Sequence, residues 1–317
     1  MEHYSVLLQE SIDLLNIRKD GVYVDCTLGR GGHSEKILEK LTSGRLIAFD
    51  KDAEAIAYCR EKFKNYTNCE LIHSDFRFLK RELELRGVEK VDGILMDLGV
   101  SSPQFDDPER GFSYRYDSRL DMRMDQNQSL SAYEVVNEYP EGDLIRILRE
   151  YGEEKNARSI ARSIVENRPI TTTLQLVDVI KKALPQKVLH KDKHPAKQTF
   201  QAIRIEVNDE LNSLREVLQQ AIQLLDEEGC LAVISFHSLE DRIVKQTMNG
   251  FVKVDRADKR IPLLPSEVPT SDYELLTKKP IEAGEGELAE NNRSHSAKLR
   301  GIRRKKAWRS EREKSEG

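Results

Sequence analysis

The sequence predicts an α/β fold, in which a Rossmann-like parallel sheet is interrupted by an inserted all-helical subdomain. Strand-like and helix-like segments alternate from the first strand to Val100, and a glycine-rich loop follows that strand directly. Helical patterns then replace the alternation until strand character resumes at Cys230. Strands separated by helices of this length form right-handed βαβ units, so the sheet they build is parallel.

The first four strands are predicted at VYVDC, RLIAFD, CELIH and VDGILMDLGV, which begin at residues 22, 45, 69 and 91. An amphipathic helix with Ile37 and Leu38 on one face follows the glycine loop. Further helices are predicted over 56–63 and over 79–85, the second closed by Gly87. Glycine just past the last periodic residue is a common helix end.

After Val100, the stretch SSPQFDDPERGFSYRYDSRLDMRMD predicts an ordered loop. Helices are expected over 143–151, 157–165 and 172–185, and a long one over 200–225 with Gly229 past its end. The strand CLAVISF follows, and Ser238 begins another helix. We therefore expect a sheet domain made of 1–106 and 213–317, and a helical insertion over 107–212 that recognises the substrate.

Composition excludes several classes of protein. A third of the residues are charged, the net charge is −4, and no apolar run is long enough to cross a membrane. The cysteines show no paired spacing and the first residues no signal sequence, which predicts a cytoplasmic protein with reduced thiols. No metal site is expected, because His190 and His194 lack a third ligand. The basic stretch 293–314 is either a solvated end or an arm that faces phosphates.

The predicted strand ends carry the residues that could bind a ligand. Asp25, Asp50 and Asp97 end the first, second and fourth strands, and Phe76 follows the third. Ligands of open α/β sheets lie beyond the carboxyl ends of the strands. The glycines Gly29, Gly31 and Gly32 let backbone approach such a ligand. Asp50, about 20 residues past the loop, matches the acid that binds a ribose diol.

These features suit both NAD and S-adenosylmethionine, and two residues favour the second. Ser34 occupies the third small position of the glycine fingerprint, and Asp25 precedes the loop, where a carboxylate suits a ligand with an ammonium group. Phe76 could then stack on adenine. In the alternative, structural interpretation, Asp50 caps the next helix and Phe76 belongs to the core.

Asp97 ends an otherwise apolar strand and is the candidate catalytic residue. An exocyclic amine such as cytosine N4 is a poor nucleophile, because its lone pair is delocalised into the ring. A carboxylate that accepts its N–H localises this pair and later takes the proton. His237, after the fifth strand, is a second candidate, and its structural alternative is a hydrogen bond at the start of a helix.

The loop QFDDPERGFSYRYD interleaves aromatic residues with arginines, which is typical of nucleic-acid binding. We expect Arg110, Phe112 and Tyr114 to contact the substrate; a lid over the cofactor is the structural alternative. From the residues alone, three functions remain open. They are an RNA amine methyltransferase, a nicotinamide-dependent oxidoreductase, and an RNA-binding protein that responds to S-adenosylmethionine without turnover.

The motifs HYSVLLQE, DCTLGRGGHS, DGILMDLGVSSPQFDDPERGFSY, HPAKQTFQAIRIEVNDEL, VISFHSLEDRIVK and RSHSAKLR resemble the RsmH (MraW) family over nearly the whole chain. The resemblance implies a class I S-adenosylmethionine-dependent methyltransferase acting on a cytidine N4 amine of 16S ribosomal RNA near the decoding region. It implies the small ribosomal subunit as partner and allows a homodimer. The cofactor-binding residues that it implies are Gly31, Gly32, His33, Asp50, Phe76, Asp97 and Gln104.

Overall fold

The computed structural model describes residues 5–189, 194–254 and 270–307. In this part of the chain, seven strands form one sheet in the order β3-β2-β1-β4-β5-β7-β6. The strands are Val22–Asp25 (β1), Arg45–Asp50 (β2), Cys69–His73 (β3), Val91–Asp97 (β4), Leu225–Ser235 (β5), Tyr273–Leu275 (β6) and Lys298–Arg304 (β7). The α/β class and the five strands predicted from the sequence are confirmed.

The described helices include five that were not expected, α1, α5, α6, α10 and α14, and α5 lies in the stretch that was predicted to be a loop. All are, in chain order, Leu8–Leu15 (α1), Gly32–Lys40 (α2), Ala53–Lys62 (α3), Leu79–Glu84 (α4), Ser102–Asp106 (α5), Ala132–Glu138 (α6), Glu141–Glu150 (α7), Ala157–Glu166 (α8), Thr173–Ala183 (α9), Gln186–Leu189 (α10), Lys197–Asn208 (α11), Glu210–Leu224 (α12), Ser238–Val252 (α13) and Glu285–Glu290 (α14). In the described part of the chain, no helix is both long and apolar enough to cross a bilayer.

The strand order reverses between β1 and β4, which makes this the position where a ligand is expected. β1 pairs in parallel with β2 on one side and with β4 on the other. The register sets Asp25 opposite Ala48 and Leu95, and Asp97 opposite Ile234. The crevice beyond the carboxyl ends of the strands at such a reversal is the usual ligand position of open α/β sheets.

Residue contacts divide the chain into two compact units, 1–99 with 213–317, and 100–212. The first unit has a core of strand and helix side chains that includes Leu46, Ile37 and Leu299. The second is helical, and its core includes Leu148, Ile160 and Ile203. The second unit begins at residue 100, earlier than the expected 107, because the residues from Val100 to Phe105 pack on its core.

The long helix predicted over 200–225 is wrong in one respect, because it is two helices. Asp209 adopts a left-handed conformation with a φ of 47°, which ends α11 before α12 begins. The Asn208 side chain accepts from the backbone of Met124 at 2.8 Å and donates to the carbonyl of Met122 at 2.8 Å. The break therefore lets a helix end bind the loop within its own unit.

Part of the basic stretch near the end of the chain, residues 298–304, is neither a solvated end nor a free arm. Residues 298–304 form β7, which pairs antiparallel with β5 and with β6. Leu299 and Ile302 are buried, and the buried Arg300 forms a two-pronged ion pair with Asp241 at 2.7 and 3.2 Å. The pairing compensates the charge that β7 buries. Arg309, Arg312 and Lys314 of the same stretch lie outside the described residues, as does His190.

Candidate functional site

The glycine-rich loop joins β1 to α2 along a path that favours glycine. Gly29 and Gly31 have φ angles of 49° and 72°, which residues with a Cβ rarely adopt. A Cβ on Gly31 would lie 2.6 Å from Cζ of Phe63 and 3.1 Å from Sγ of Cys59. The loop can therefore keep this path only with glycine at position 31.

Asp25 holds this loop in place from below. Its Oδ2 accepts from Ser34 Oγ at 2.7 Å, and its Oδ1 accepts from the Thr27 backbone at 3.0 Å. Only 1% of Asp25 is exposed, and burial raises the pKa of its carboxyl. The prediction that Asp25 faces a ligand's ammonium group is therefore wrong: it is buried under the loop, and Ser34 is one of its donors.

Asp50 lies at the end of β2 and contacts the loop from the side. Its Oδ2 accepts from the Gly29 backbone at 2.8 Å, and its Oδ1 from the Asp52 backbone at 2.9 Å. The cap of α3 is Asp52, not Asp50, so the structural alternative for Asp50 fails. Burial raises the pKa of Asp50 to about 6. A carboxylate has about four acceptor positions, so Asp50 can still accept from a ribose diol.

Phe76 begins a short 3₁₀ helix, Phe76–Phe78, after β3. The Asp75 side chain caps this helix by accepting from the Arg77 backbone at 2.9 Å. Phe76 is only partly buried and is not among the core residues of its unit. Its ring is therefore available for stacking, and the interpretation of Phe76 as a core residue is not supported.

His33 lies in the first turn of α2 and is 95% buried, with Asp97 near one ring nitrogen. Its Nε2 lies 3.1 Å from the Val6 carbonyl oxygen, which can only accept, so Nε2 carries the proton. Nδ1 is then an acceptor, 3.8 Å from Oδ2 of Asp97. Burial lowers the pKa of His33 to about 4, so the ring is neutral at physiological pH. His33 therefore supports the site from within.

Asp97, at the end of β4, has a partly buried side chain with few hydrogen-bond donors. Its backbone N–H donates to Thr27 Oγ1 at 2.6 Å, which ties the end of β4 to the glycine loop. Within the described residues, Oδ1 of Asp97 is buried and accepts no hydrogen bond. Burial, followed by the negative charge of Asp25, raises the pKa of Asp97 to about 8. A carboxyl held in this way, at the reversal of strand order, is typical of a functional site.

His237 has the structural role that was its alternative. It is the N-cap of α13, and its Nδ1 accepts from the Glu240 backbone at 3.5 Å. The Glu240 side chain in turn accepts from the backbones of Phe236 and His237 at 2.8 and 3.3 Å. This capping box accounts for His237, so Asp97 is the better candidate for proton transfer.

Two of the three residues predicted to contact the substrate are buried in the helical unit. Arg110 is 3% exposed and donates to the carbonyls of Arg123 and Met124 at 3.2 and 3.1 Å. Phe112 is 4% exposed and belongs to the core of the unit. These two predictions are wrong, because both side chains stabilise the loop from inside.

Tyr114, the third predicted contact, is partly buried. Its ring stacks on His194 with 4.2 Å between centroids, and meets Phe200 edge-on. His194 covers one face of the Tyr114 ring, so a base could stack on that face only after His194 moved. Tyr114 is therefore placed as a support for the loop.

Gln104 lies in the helical unit, in the capping box at the start of α5. Its Oε1 accepts from the Ser101 backbone at 3.1 Å, and its own backbone donates to Ser101 Oγ at 3.5 Å. The side chain is 95% buried. The role of Gln104 in cofactor binding, implied by the resemblance, stays a prediction.

The sequence interpretation missed Thr27. Its hydroxyl accepts from the Asp97 backbone, and it lies 3.4 Å from Oδ1 of Asp25, to which it donates. A hydroxyl two residues after a buried acid is typical of a side chain that closes a turn on that acid. This spacing in DCTLG was the available signal.

We expect Asp50→Asn to weaken binding of S-adenosylmethionine by about 10–100-fold, since hydrogen bonds to a charged acceptor contribute about 1.5–3 kcal/mol. Titration calorimetry at neutral pH measures the effect. Asp52→Asn is the matched control, because asparagine caps a helix as well as aspartate does. Equal affinities of the two variants would remove Asp50 from the ribose site.

Comparison with known proteins gives one consistent result. The model of the MraW methylase family matches residues 1–305. A protein of Exiguobacterium sibiricum named ribosomal RNA small subunit methyltransferase H is 55% identical over 309 residues, which cover 96% of this chain and 99% of that protein. A protein of the same name from Mesoplasma florum is 51% identical over 307 residues, with coverage of 96% and 99%. A solved structure of a putative rRNA methylase from Clostridium thermocellum has a TM-score of 0.45 and 12% identity, with coverage of 96% and 100%.

Proposed function

This chain belongs to the MraW methylase family of S-adenosylmethionine-dependent methyltransferases, and from that premise we propose that it methylates the N4 amine of a cytidine in 16S ribosomal RNA near the decoding region. The names of its close relatives support the small-subunit ribosomal RNA as substrate. The observation that carries the reaction is Asp97, at the reversal of strand order, whose buried Oδ1 accepts no hydrogen bond from the described residues.

The residues present fit S-adenosylmethionine. The glycines with positive φ carry no Cβ, so the backbone of the loop can approach a ligand closely. Asp50 has free acceptor positions for the hydroxyls of a ribose diol. Phe76 has a partly exposed ring for adenine, and Oδ1 of Asp97 is a buried acceptor to which no described residue donates. The bound cofactor supplies an electrophilic methyl group on a positively charged sulfur.

Asp97 has two roles in the proposed reaction. Its carboxylate accepts an N–H of the cytidine amine, which localises the nitrogen lone pair and orients it for in-line attack. S-adenosylmethionine, held by the glycine loop and Asp50, would supply the methyl group for the new N–C bond and would keep the electron pair of its S–C bond on sulfur. The amine then gives its proton to Asp97, so charge and atoms balance. The Thr27 hydroxyl holds the end of β4 in position, and neutral His33 lies beside the carboxyl of Asp97.

The exposed side of the loop in the helical unit is the proposed RNA contact. Arg115, Tyr116 and Arg119 are exposed, and Tyr116 is 51% exposed. The backbone here is ordered, because Tyr116 O accepts from Thr173 Oγ1 at 2.6 Å, and Thr173 N donates to Ser118 O at 2.8 Å. An exposed aromatic ring on an anchored backbone, with exposed arginines close to it in sequence, suits an unpaired base and its phosphates.

Tyr116→Ala should weaken binding of a single-stranded ribosomal RNA fragment by about 5–100-fold, because stacking of one base contributes about 1–3 kcal/mol. Fluorescence anisotropy measures the affinity. Tyr58→Ala is the control, since Tyr58 is also a half-exposed tyrosine but belongs to the other unit. An unchanged affinity of Tyr116→Ala would remove this surface from RNA binding.

The reaction is tested by incubating ribosomal small subunits from cells that lack the gene with the protein and labelled methyl donor. Mass spectrometry of the nucleosides should show label only as N4-methylcytidine. Label on another atom would overturn the position, and donor binding without transfer would favour an RNA-binding protein without turnover. A cytoplasmic location and a homodimer complete the proposal, and light scattering of the purified protein tests the dimer.

A further inference from the structure

Asp97 is a carboxyl that the surrounding structure does little to stabilise in its charged form. Its Oδ1 accepts no hydrogen bond from the described residues, and its Oδ2 has His33 Nδ1 at 3.8 Å. The His33 proton is on Nε2, where the Val6 carbonyl accepts it, so Nδ1 presents a lone pair to Asp97. A lone pair repels a carboxylate but accepts from a protonated acid. The neighbouring ring therefore favours the neutral form of Asp97.

The charged groups around Asp97 act in the same direction. Three further acids face it from separate elements: Asp25 from β1, Glu240 from α13 and Glu287 from α14. The opposing positive charge is Arg293, in the 3₁₀ helix that precedes β7. Like charges close to a carboxyl disfavour its ionisation.

Two of these acids accept hydrogen bonds from donors of their own. Glu287 accepts from the Leu7 backbone at 2.9 Å and from Ser294 Oγ at 2.5 Å. Glu240 accepts from the backbones of Phe236 and His237. Asp97 is the acid of this group whose Oδ1 is buried and accepts no hydrogen bond from the described residues.

We propose that Asp97 holds a proton in the free protein, that S-adenosylmethionine displaces this proton on binding, and that the demethylated product leaves it in place. The methyl donor carries one net positive charge, because its sulfonium adds to a zwitterionic amino acid group. The product has lost that charge. This inference rests on the proposed function, and it makes the charge of Asp97 the feature that separates donor from product.

The proposed charge of Asp97 suits each step of the reaction, from binding of the donor to release of the product. With donor bound, Asp97 is a carboxylate and can accept the N–H of the cytidine amine. After transfer, the amine's proton lies on Asp97, and the site returns to the form that the neutral product requires. The same proton therefore prepares the site for release of the product.

The sign of the pH effect follows from the raised pKa of Asp97. A pKa of about 8 leaves Asp97 mostly protonated at pH 7 in the free protein. A positive charge within a few ångströms lowers a carboxyl pKa by about two units. Donor affinity should then rise roughly 25-fold between about pH 6 and about pH 8 and level off above, while product affinity changes little.

Titration calorimetry of the full-length protein at pH 7, in phosphate and in Tris, counts the protons released on binding. We expect about 0.8 proton released per S-adenosylmethionine, and close to none per S-adenosylhomocysteine. Asp97→Asn should release none with either ligand and should lose donor affinity more than product affinity. Asp50→Asn is the matched control: it should bind weakly and still release the proton. Equal release with both ligands, or undiminished release from Asp97→Asn, overturns the proposal.

A second measurement keeps the proposal testable if Asp97→Asn does not fold. Carbon-13 NMR of aspartate carboxyls in the free wild-type protein should show one resonance that titrates near pH 8 and shifts to its ionised position when donor is added. Insensitivity of every aspartate resonance above pH 7 would contradict it. Binding without proton release refutes only this inference, whereas absence of donor binding refutes the proposed function.

Discussion

Gly31→Ala is expected to reduce binding of S-adenosylmethionine by at least about 100-fold and to lower the free energy of unfolding by about 2–4 kcal/mol. Two costs add at this position. The φ of 72° is unfavourable for alanine, and its Cβ would lie 2.6 Å from the ring of Phe63. The ring belongs to the core of its unit and cannot move freely. The loop must therefore change its path, and the Gly29 backbone that binds Asp50 moves with it.

Gly87→Ala is the matched control for this prediction. Gly87 also has a positive φ, of 65°, but a Cβ there would have no atom within 4 Å. The loss of unfolding free energy in Gly87→Ala therefore measures only the cost of placing alanine at a positive φ, about 1 kcal/mol, at a site away from the loop. Thermal denaturation and calorimetry of both variants separate the two contributions. Wild-type donor affinity in Gly31→Ala would show that the loop path is not required for binding.

Asp97→Asn is expected to reduce methyl transfer to RNA by about 10²–10⁴-fold at saturating donor, the usual range for loss of a general base. Asparagine keeps the size of the side chain but cannot take the proton of the amine. Single-turnover transfer of a labelled methyl group measures the step itself. A rate equal to wild type would exclude Asp97 from proton transfer.

His237→Asn provides the comparison that assigns the proton acceptor. Asparagine preserves the N-cap of α13 and removes the imidazole. We expect its transfer rate to stay within a few-fold of wild type. The opposite order, with His237→Asn inactive and Asp97→Asn active, would make the histidine the acceptor.

The strands and their acidic ends were predictable from local pattern. Short runs of β-forming residues, each followed by an acid and then a helical stretch, predicted β1 to β5 and placed Asp25, Asp50 and Asp97 at one edge of the sheet. Parallel βαβ topology makes this inference possible, because every strand then ends on the same side. The resemblance to a family added His33 and Gln104, which pattern alone did not indicate.

The roles of individual residues were less predictable, because they depend on partners far away in sequence. Asp25 and Asp97 both end a strand, but hydrogen bonds from Ser34 and Thr27 make Asp25 an anchor of the loop. No described residue donates to the buried Oδ1 of Asp97. Arg110 and Phe112 are residue types that often contact RNA, but here both are buried inside the helical unit. The solvent-facing residues of the same loop are Arg115 and Tyr116.

By itself, the sequence determined the α/β class, the position of the ligand edge and the family, because these depend on periodicity and on motifs that are local in the chain. Tertiary structure decided which acids are paired, which aromatic rings are exposed and that a basic segment is a strand. Arg300 could join β7 only because Asp241 lies beside it, 59 residues earlier in the chain. Ionisation and burial depend on the distances between atoms, and folding brings together groups whose separation in the sequence carries no signal.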